Sequence, residues 1–334
     1  MCGFRKAGAG DVLGLRKICP MIDFRLERQI VRAIRKRARK VLPQAAQLAR
    51  KRIRRIGRLF RNGEIRVAAL TMVYNEALIL PYFLRHYSYV DEIRVLFETD
   101  TSDSSLEILH CAPNVLVEKC HIDGGLDDVA KINLFNDALS SIKADWVYVV
   151  DPDEFIFPPN ESPCDFLRRQ DADVVQSAMY QVYRHRNDRD LDPNLPPVPQ
   201  RAHGDPNPFS NEESARRPSN TFYIKPNIVR PWIGARFLPG HHVLEGRAPL
   251  SSEAYVGAHW QMADPAIALQ RRMERKARLS ERNRSLRMGW QNFDVEEEEI
   301  QAECDRHLDD PVIETLASFR EPPVFGPSKL PVGK

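Results

Sequence analysis

Three times between residues 65 and 150 a short strand-forming run rich in apolar residues gives way to a helix-forming stretch, and a fourth run closes the series. The runs are 65–73 (IRVAALTMV), 92–98, 115–119 and 146–150; the stretches between them are 77–90, 105–110 and 127–143. In 77–90 the apolar residues Ile79, Leu80, Phe83 and Leu84 recur at helical spacing. The fourth run, Trp146 to Val150, is apolar or aromatic at every position rather than at alternate ones, which suits a strand covered on both faces, as in a parallel sheet. Strand alternating with helix at this pitch predicts an α/β fold with a doubly wound, mostly parallel sheet. Ligands of such sheets collect beyond the carboxyl ends of the strands. The residues that follow each strand are therefore the ones to inspect.

The rest of the chain is more varied. Of 334 residues, the first 66 carry 20 Lys and Arg against 4 Asp and Glu, so the remainder holds 29 against 42 and the overall charge of +3 hides a basic arm on an acidic body. Within 25–61, Ile30, Val31, Ile34, Val41, Leu42, Ala45, Leu48, Ile53, Ile56, Leu59 and Phe60 recur three and four apart between RKRARK and RKRIRR. That predicts one or two basic amphipathic helices with Pro43 at a break. Such an arm can pack its apolar side on the body or lie on an anionic membrane surface. Nucleic acid is not expected as a partner, because no aromatic or motif-level feature accompanies the charge. No apolar run approaches the length of a membrane span, no signal-peptide core is seen, and Cys2, Cys19, Cys111, Cys120, Cys164 and Cys304 are scattered without a C-x-x-C pair. A cytoplasmic protein, peripheral at the inner face of a membrane if the arm docks there, is the expectation.

Downstream, 164–169 reads as a helix and 174–184 as a strand. Residues 186–219, rich in Pro, Asp and Asn, read as one long loop of the kind that covers a binding site. A strand is expected over 221–229, short strands or turns over 237–256 near His241, His242 and His259, and charged helices over 265–287 and 295–317. The expected division is an arm (1–64), a main α/β domain (65–260, with halves 65–157 and 158–260) and a C-terminal helical region (261–334).

The fourth run ends in ADWVYVVDPDEFIF, with Asp151, Asp153 and Glu154 just past the strand. Alternate residues of an extended chain share a face, so Asp151 and Asp153 can point into one cleft. Paired carboxylates beside a phosphate suit Mg²⁺ or Mn²⁺. An isolated D-x-D is more often an acidic turn; here three further elements precede it in order. Tyr74, Asn75 and Glu76 close the first strand, within LTMVYNEA. Glu98 ends the second and is followed by Thr101, Ser102, Asp103 and Ser105. Lys131 and Asn136 lie on the helix ahead of the fourth strand.

Together these elements resemble the nucleotide-sugar half of a family 2-type glycosyltransferase of the GT-A fold, in the subgroup with LTMVYNEA and DPDEF motifs. The resemblance covers about 95 residues firmly (65–157), and YIKPNIVRP and AHW more loosely. One departure is Glu98, where the family usually ends the strand in Asp, and it leaves the donor open. The resemblance implies metal-dependent, inverting transfer of a sugar from a nucleotide-diphosphate sugar to a hydroxyl of a glycan or glycoconjugate. It implies donor binding by Asn75, Glu76, Glu98, Asp103, Lys131, Asn136 and Asp151, and a Mn²⁺ or Mg²⁺ ion on Asp151 and Asp153. His259, or His242, is the candidate to complete that metal site. A base is needed to deprotonate the acceptor, and Glu245, Glu253 and Asp264 are its candidates. Each donor-site residue also has a structural reading: Asn75, Glu76, Glu98 and Asp103 as turn or cap residues, Lys131 as a solvated helix face, Asn136 as a buried amide bonded to backbone. Two other functions were weighed. An aspartyl-phosphate phosphatase is disfavoured, because its D-x-D lies on the first strand and Phe155 stands where it needs Thr or Val. A catalytically inactive GT-A domain that binds nucleotide-sugar or acts as a scaffold is the alternative, since no clear base is seen.

Overall fold

A computed structural model of the chain describes residues 64–158, 161–205, 223–246, 248–289, 292–306, 308–309 and 314–315. They belong to one compact unit, 60–334. The expected arm helices of 25–61 and the tail beyond 321 lie outside the described residues.

The anticipated alternation is present. Strands β1 (Val67–Val73), β2 (Glu92–Glu98), β3 (Val115–Cys120) and β4 (Trp146–Val149) alternate with helices α1 (Leu80–His86), α2 (Ser105–His110) and α3 (Asp128–Ser141). The four strands are mutually parallel, in the order β3-β2-β1-β4. All of β1 is buried, but its residues serve two cores. Val67, Ala69 and Val73 pack with Ile79, Phe83 and Leu109 of α1 and α2; Ala68, Leu70 and Met72 pack with Ile132, Phe135 and Leu139 of α3. Because helices cover both faces, both parities of the strand are apolar apart from the buried Thr71. Since β2 and β4 lie on opposite sides of β1, the chain reverses its winding there. The crevice at the carboxyl ends of β1 and β4 is the topological switch point.

Beyond β4 the sheet becomes mixed. Strands β5 (Glu154–Phe157), β6 (Val174–Tyr183), β7 (His203–Asp205) and β8 (Tyr223–Val229) follow, with α4 (Pro163–Arg169) and α5 (Pro197–Gln200) between them. Strand β8 runs antiparallel to both β4 and β6. After β9 (Arg236–Phe237) and β10 (Leu244–Glu245) comes β11 (Leu250–Met262), parallel to β6 and antiparallel to β5. Helices α6 (Pro265–Arg278), α7 (Glu281–Leu286) and α8 (Glu297–Asp305) and a two-residue β12 (Glu314–Thr315) complete the described chain. Among the described residues no helix is long and apolar enough to cross a membrane.

Four sequence expectations need correction. The helix of 265–287 is two, because Ser280 caps α7 through Asn283 N at 3.1 Å while the backbone at Arg278 and Ser280 bonds Leu126 at 2.7 and 3.1 Å. Helix 295–317 is the shorter α8, and in sequence Pro311 cannot continue it. Residues 186–205 are not loop throughout, since α5 and β7 lie there and the buried Arg201 ties them to Ala263 O at 2.8 Å. The segment 237–256 holds short strands only in its first part, β9 and β10; from Leu250 it is the start of the 13-residue β11.

Candidate functional site

A cleft of about 520 Å³, including solvent at its mouth, opens at the switch point. Its floor comes from the ends of β1, β2 and β4 and one wall from Lys131 of α3. The other wall is α6, from which Arg271, Glu274, Arg275 and Arg278 reach the cleft. Positions 271, 275 and 278 are four and then three apart, so a single helix face carries all three guanidiniums. Pro265 at the first turn and the Asp264 carboxylate, accepting from Ala266 and Ile267 N at 3.0 and 3.3 Å, start this helix. Its far end is held at Leu126, where Gly125 has φ +92° and any Cβ would run into the Arg278 carbonyl oxygen. Asn283 of α7 and Asp128 of α3 exchange two hydrogen bonds, 3.0 and 3.1 Å.

Of the expected donor residues, Glu76, Glu98, Lys131 and Asp151 line this cleft. Lys131 Nζ bonds Asp151 Oδ1 at 2.7 Å. Glu98 pairs with Arg278, whose guanidinium lies over the Tyr74 ring at 3.2 Å. Glu76 lies 3.0 Å from Arg271 Nε, and the same guanidinium pairs with Asp153.

Asp103 and Asn136 are engaged elsewhere, and Asn75 reaches the cleft only through its amide, which donates to Glu274 at 3.3 Å. Asn75, at φ +48°, accepts from Ser102 and Asp103 N at 2.8 and 3.3 Å. Asp103 accepts from Ala77 and Ser105 N, both at 2.9 Å, so its two oxygens lace the β1–α1 and β2–α2 turns together. Asn136 spends both ends of its amide on the backbone of Phe237, at 3.0 and 2.8 Å. These side chains shape the turns around the cleft without lining it, since backbone N–H groups at strand ends need acceptors.

Burial and charge pull the carboxyls in opposite directions. Burial raises Glu76 from its ordinary 4.5 to about 7, against the opposing pull of Arg271 and Arg275. Burial also raises Glu98, although Arg278 lowers it. For Asp153 burial acts upward too, but Arg271 and His259 prevail and hold it well below the usual carboxylate range. Asp151 is held below that range in the same way, by Lys131 against burial. A group with a raised folded pKa favours the folded state below its unfolded pKa, and that contribution is lost as pH rises. Glu76 should therefore make stability fall between pH 4.5 and 7, by on the order of 3 kcal/mol if it acts alone. Thermal unfolding across this range should show a flatter pH profile for Glu76→Gln; an unchanged slope would rule out Glu76 as its source.

The expected metal centre does not assemble. Asp153 meets His259 Nε2 at 3.3 Å, but Arg271 is already on Asp153 and Lys131 on Asp151. Among the described residues no three His, Cys, Asp or Glu side chains are placed to hold a metal ion. The donor set as it stands does not fit Mn²⁺ or Mg²⁺, because its carboxylates are already neutralised by side-chain cations. His242 is exposed beside His241 and is not in the cleft lining.

None of the expected bases lines the cleft. Glu245 is exposed on β10, Asp264 is the cap of α6, and Glu253 pairs with Arg169 on the surface. The residues that sequence reading missed are Arg271, Arg275 and Arg278. The signal was there in RRMERKAR, but a basic helix face usually faces water, and only the fold turns this one inward.

No family model matches the chain, and no curated protein matches it. Among solved structures, TarS residues 1–349 from S. aureus is similar at 16% identity and a TM-score of 0.34, over 74% of this chain and 73% of that one. The same protein in complex with UDP-GlcNAc is similar at 17% and 0.33, over 73% and 72%. Glucosyl-3-phosphoglycerate synthase from Mycobacterium tuberculosis, in complex with Mn²⁺, UDP and phosphoglyceric acid, is similar at 14% and 0.26, over 35% and 43%.

Proposed function

We propose that this chain is a glycosyltransferase of the GT-A type, moving a sugar from a nucleoside-diphosphate sugar to an acceptor hydroxyl with inversion. The observation that carries this reading is the cleft at the switch point, where Lys131, Arg271, Arg275 and Arg278 converge beside Glu76, Glu98 and Asp151. Cations facing each other across a partly closed crevice suit a diphosphate, and carboxylates among them suit the hydroxyls and amides of a nucleoside. The ordered motifs of 65–157 support the same reading by resemblance.

In such a transfer the acceptor oxygen attacks the anomeric carbon as the bond from that carbon to the diphosphate breaks. The bonding pair leaves on the phosphate oxygen, where fixed cations stabilise the developing charge. The acceptor proton passes to a base. Arg271 and Lys131 are preset by their pairs with Asp153 and Asp151, which limits the reorganisation needed when the leaving group departs.

Calorimetric titration of UDP, GDP and dTDP, with Mn²⁺ present, tests the donor site. One nucleotide should bind, and Lys131→Ala should weaken it by about tenfold or more, the worth of one charge-assisted bond. If none of the three binds, the reading fails. The position of Glu245 and Asp264 outside the cleft lining favours the second reading, a domain that binds nucleotide-sugar without turnover. Release of nucleoside diphosphate from its sugar, with a glycan acceptor present, separates the two.

A further inference from the structure

We infer that the donor diphosphate is held by the guanidinium face of α6 together with Lys131, in the role a divalent ion would otherwise fill. This rests on the nucleotide-sugar reading above and goes beyond it. Three observations carry it.

The first is the occupancy of the carboxylates. Arg271 is buried between Glu76 and Asp153, 3.0 Å from the former and ion-paired with the latter. A divalent ion on Asp153 would lie against that guanidinium, two like charges buried side by side. Asp151, the other expected ligand, is turned to Lys131 at 2.7 Å.

The second is donor capacity. A guanidinium has five N–H donors in a planar fork that matches phosphate oxygens. Arg278 places one nitrogen on Glu98 and retains others for the cleft. Arg275 lines the cleft and has no ion-pair partner among the described residues, so its fork is free for an anion. With Lys131 on the opposite wall, cations face the space between them from two sides.

The third is rigidity. Helix α6 is capped at Asp264, held at Leu126 by backbone bonds and braced near its end by Lys276, which donates to Val295 O at 2.8 Å. Side chains on a braced helix can replace a metal ion as a preorganised charge, because little reorganisation is needed when the anion arrives. A mobile loop could not do the same.

The test uses the full chain and whichever of UDP, GDP, dTDP, ADP or CDP binds best. Its affinity is measured calorimetrically in EDTA and again with excess Mn²⁺. The two affinities should agree within about threefold, less than 1 kcal/mol. In EDTA, Arg275→Ala should weaken binding by about 10- to 100-fold, the worth of a charge-assisted hydrogen bond. Arg275 is partly exposed, and the buried Glu76 and Asp153 keep their direct partner Arg271 when it is removed, so the variant should unfold close to the wild-type temperature. Binding seen only with Mn²⁺, or an Arg275→Ala variant that binds in EDTA as wild type does, would overturn the inference and leave the glycosyltransferase reading standing. Binding of no nucleotide in either buffer would remove both.

Discussion

Arg271→Ala is expected to cost about 3–5 kcal/mol of folding stability, the usual penalty for stranding a buried charge. Arg271, Asp153 and Glu76 are all buried, at 6%, 1% and 8% exposure. Without the guanidinium, Asp153 keeps His259 at 3.3 Å, and Glu76 loses its closest cation. Urea unfolding at neutral pH measures the loss. Since Asp153 is held well below its ordinary 3.8, its contribution is present above that pH and disappears as pH falls through the folded value. The gap between variant and wild type should therefore narrow in acid. A triple change, Arg271→Met with Asp153→Asn and Glu76→Gln, removes the charges together and should recover most of the loss. A single variant within about 1 kcal/mol of wild type would mean that Arg271 does not compensate these carboxylates.

Lys225→Met is expected to be comparably damaging, again by about 3–5 kcal/mol. Lys225 and Glu154 form an ion pair with side chains only 3% and 0% exposed. Glu154 also accepts from Asp151 N at 3.2 Å, so a shift of its carboxylate would disturb the strand end that carries Asp151. The double variant Lys225→Met, Glu154→Gln should lose much less stability than the sum of the two single losses in a double-mutant cycle. Additive losses would show that the two side chains act separately. Nucleotide affinity should fall further in the single variant than in the double one, because only the single variant strands the Glu154 carboxyl without its ion-pair partner next to Asp151.

The part of the fold that was legible is the part governed by local rules. Runs such as Trp146–Val149 are apolar or aromatic at every position because both faces of the sheet are covered, and this burial leaves its mark in the sequence itself. The cleft's place at the ends of β1, β2 and β4 follows from the same alternation, and Glu76, Glu98, Lys131 and Asp151 are found there. Strand β5 escaped notice because Asp151, Pro152 and Asp153 interrupt the run just before it. Its pairing with β11 is made about 100 residues downstream in sequence. Short polar side chains were harder to read. Asn75, Asp103 and Asn136 can serve a ligand or a neighbouring backbone equally well, and the choice depends on whether an unsatisfied N–H or carbonyl lies within reach.

The sequence by itself determined the parallel half-sheet and the acidic residues at its carboxyl edge, because periodicity and burial are written residue by residue; the order of its strands about β1 came from the fold. Tertiary structure alone decided what meets those acids. Helix α6 lies 120 residues beyond Asp151, and nothing local says whether its basic face looks toward water or inward. The long β11 delivers that helix to the cleft, where Arg271 reaches Asp153 and Glu76. That long-range contact turns a set of carboxylates suited to a metal ion into one already balanced by guanidiniums.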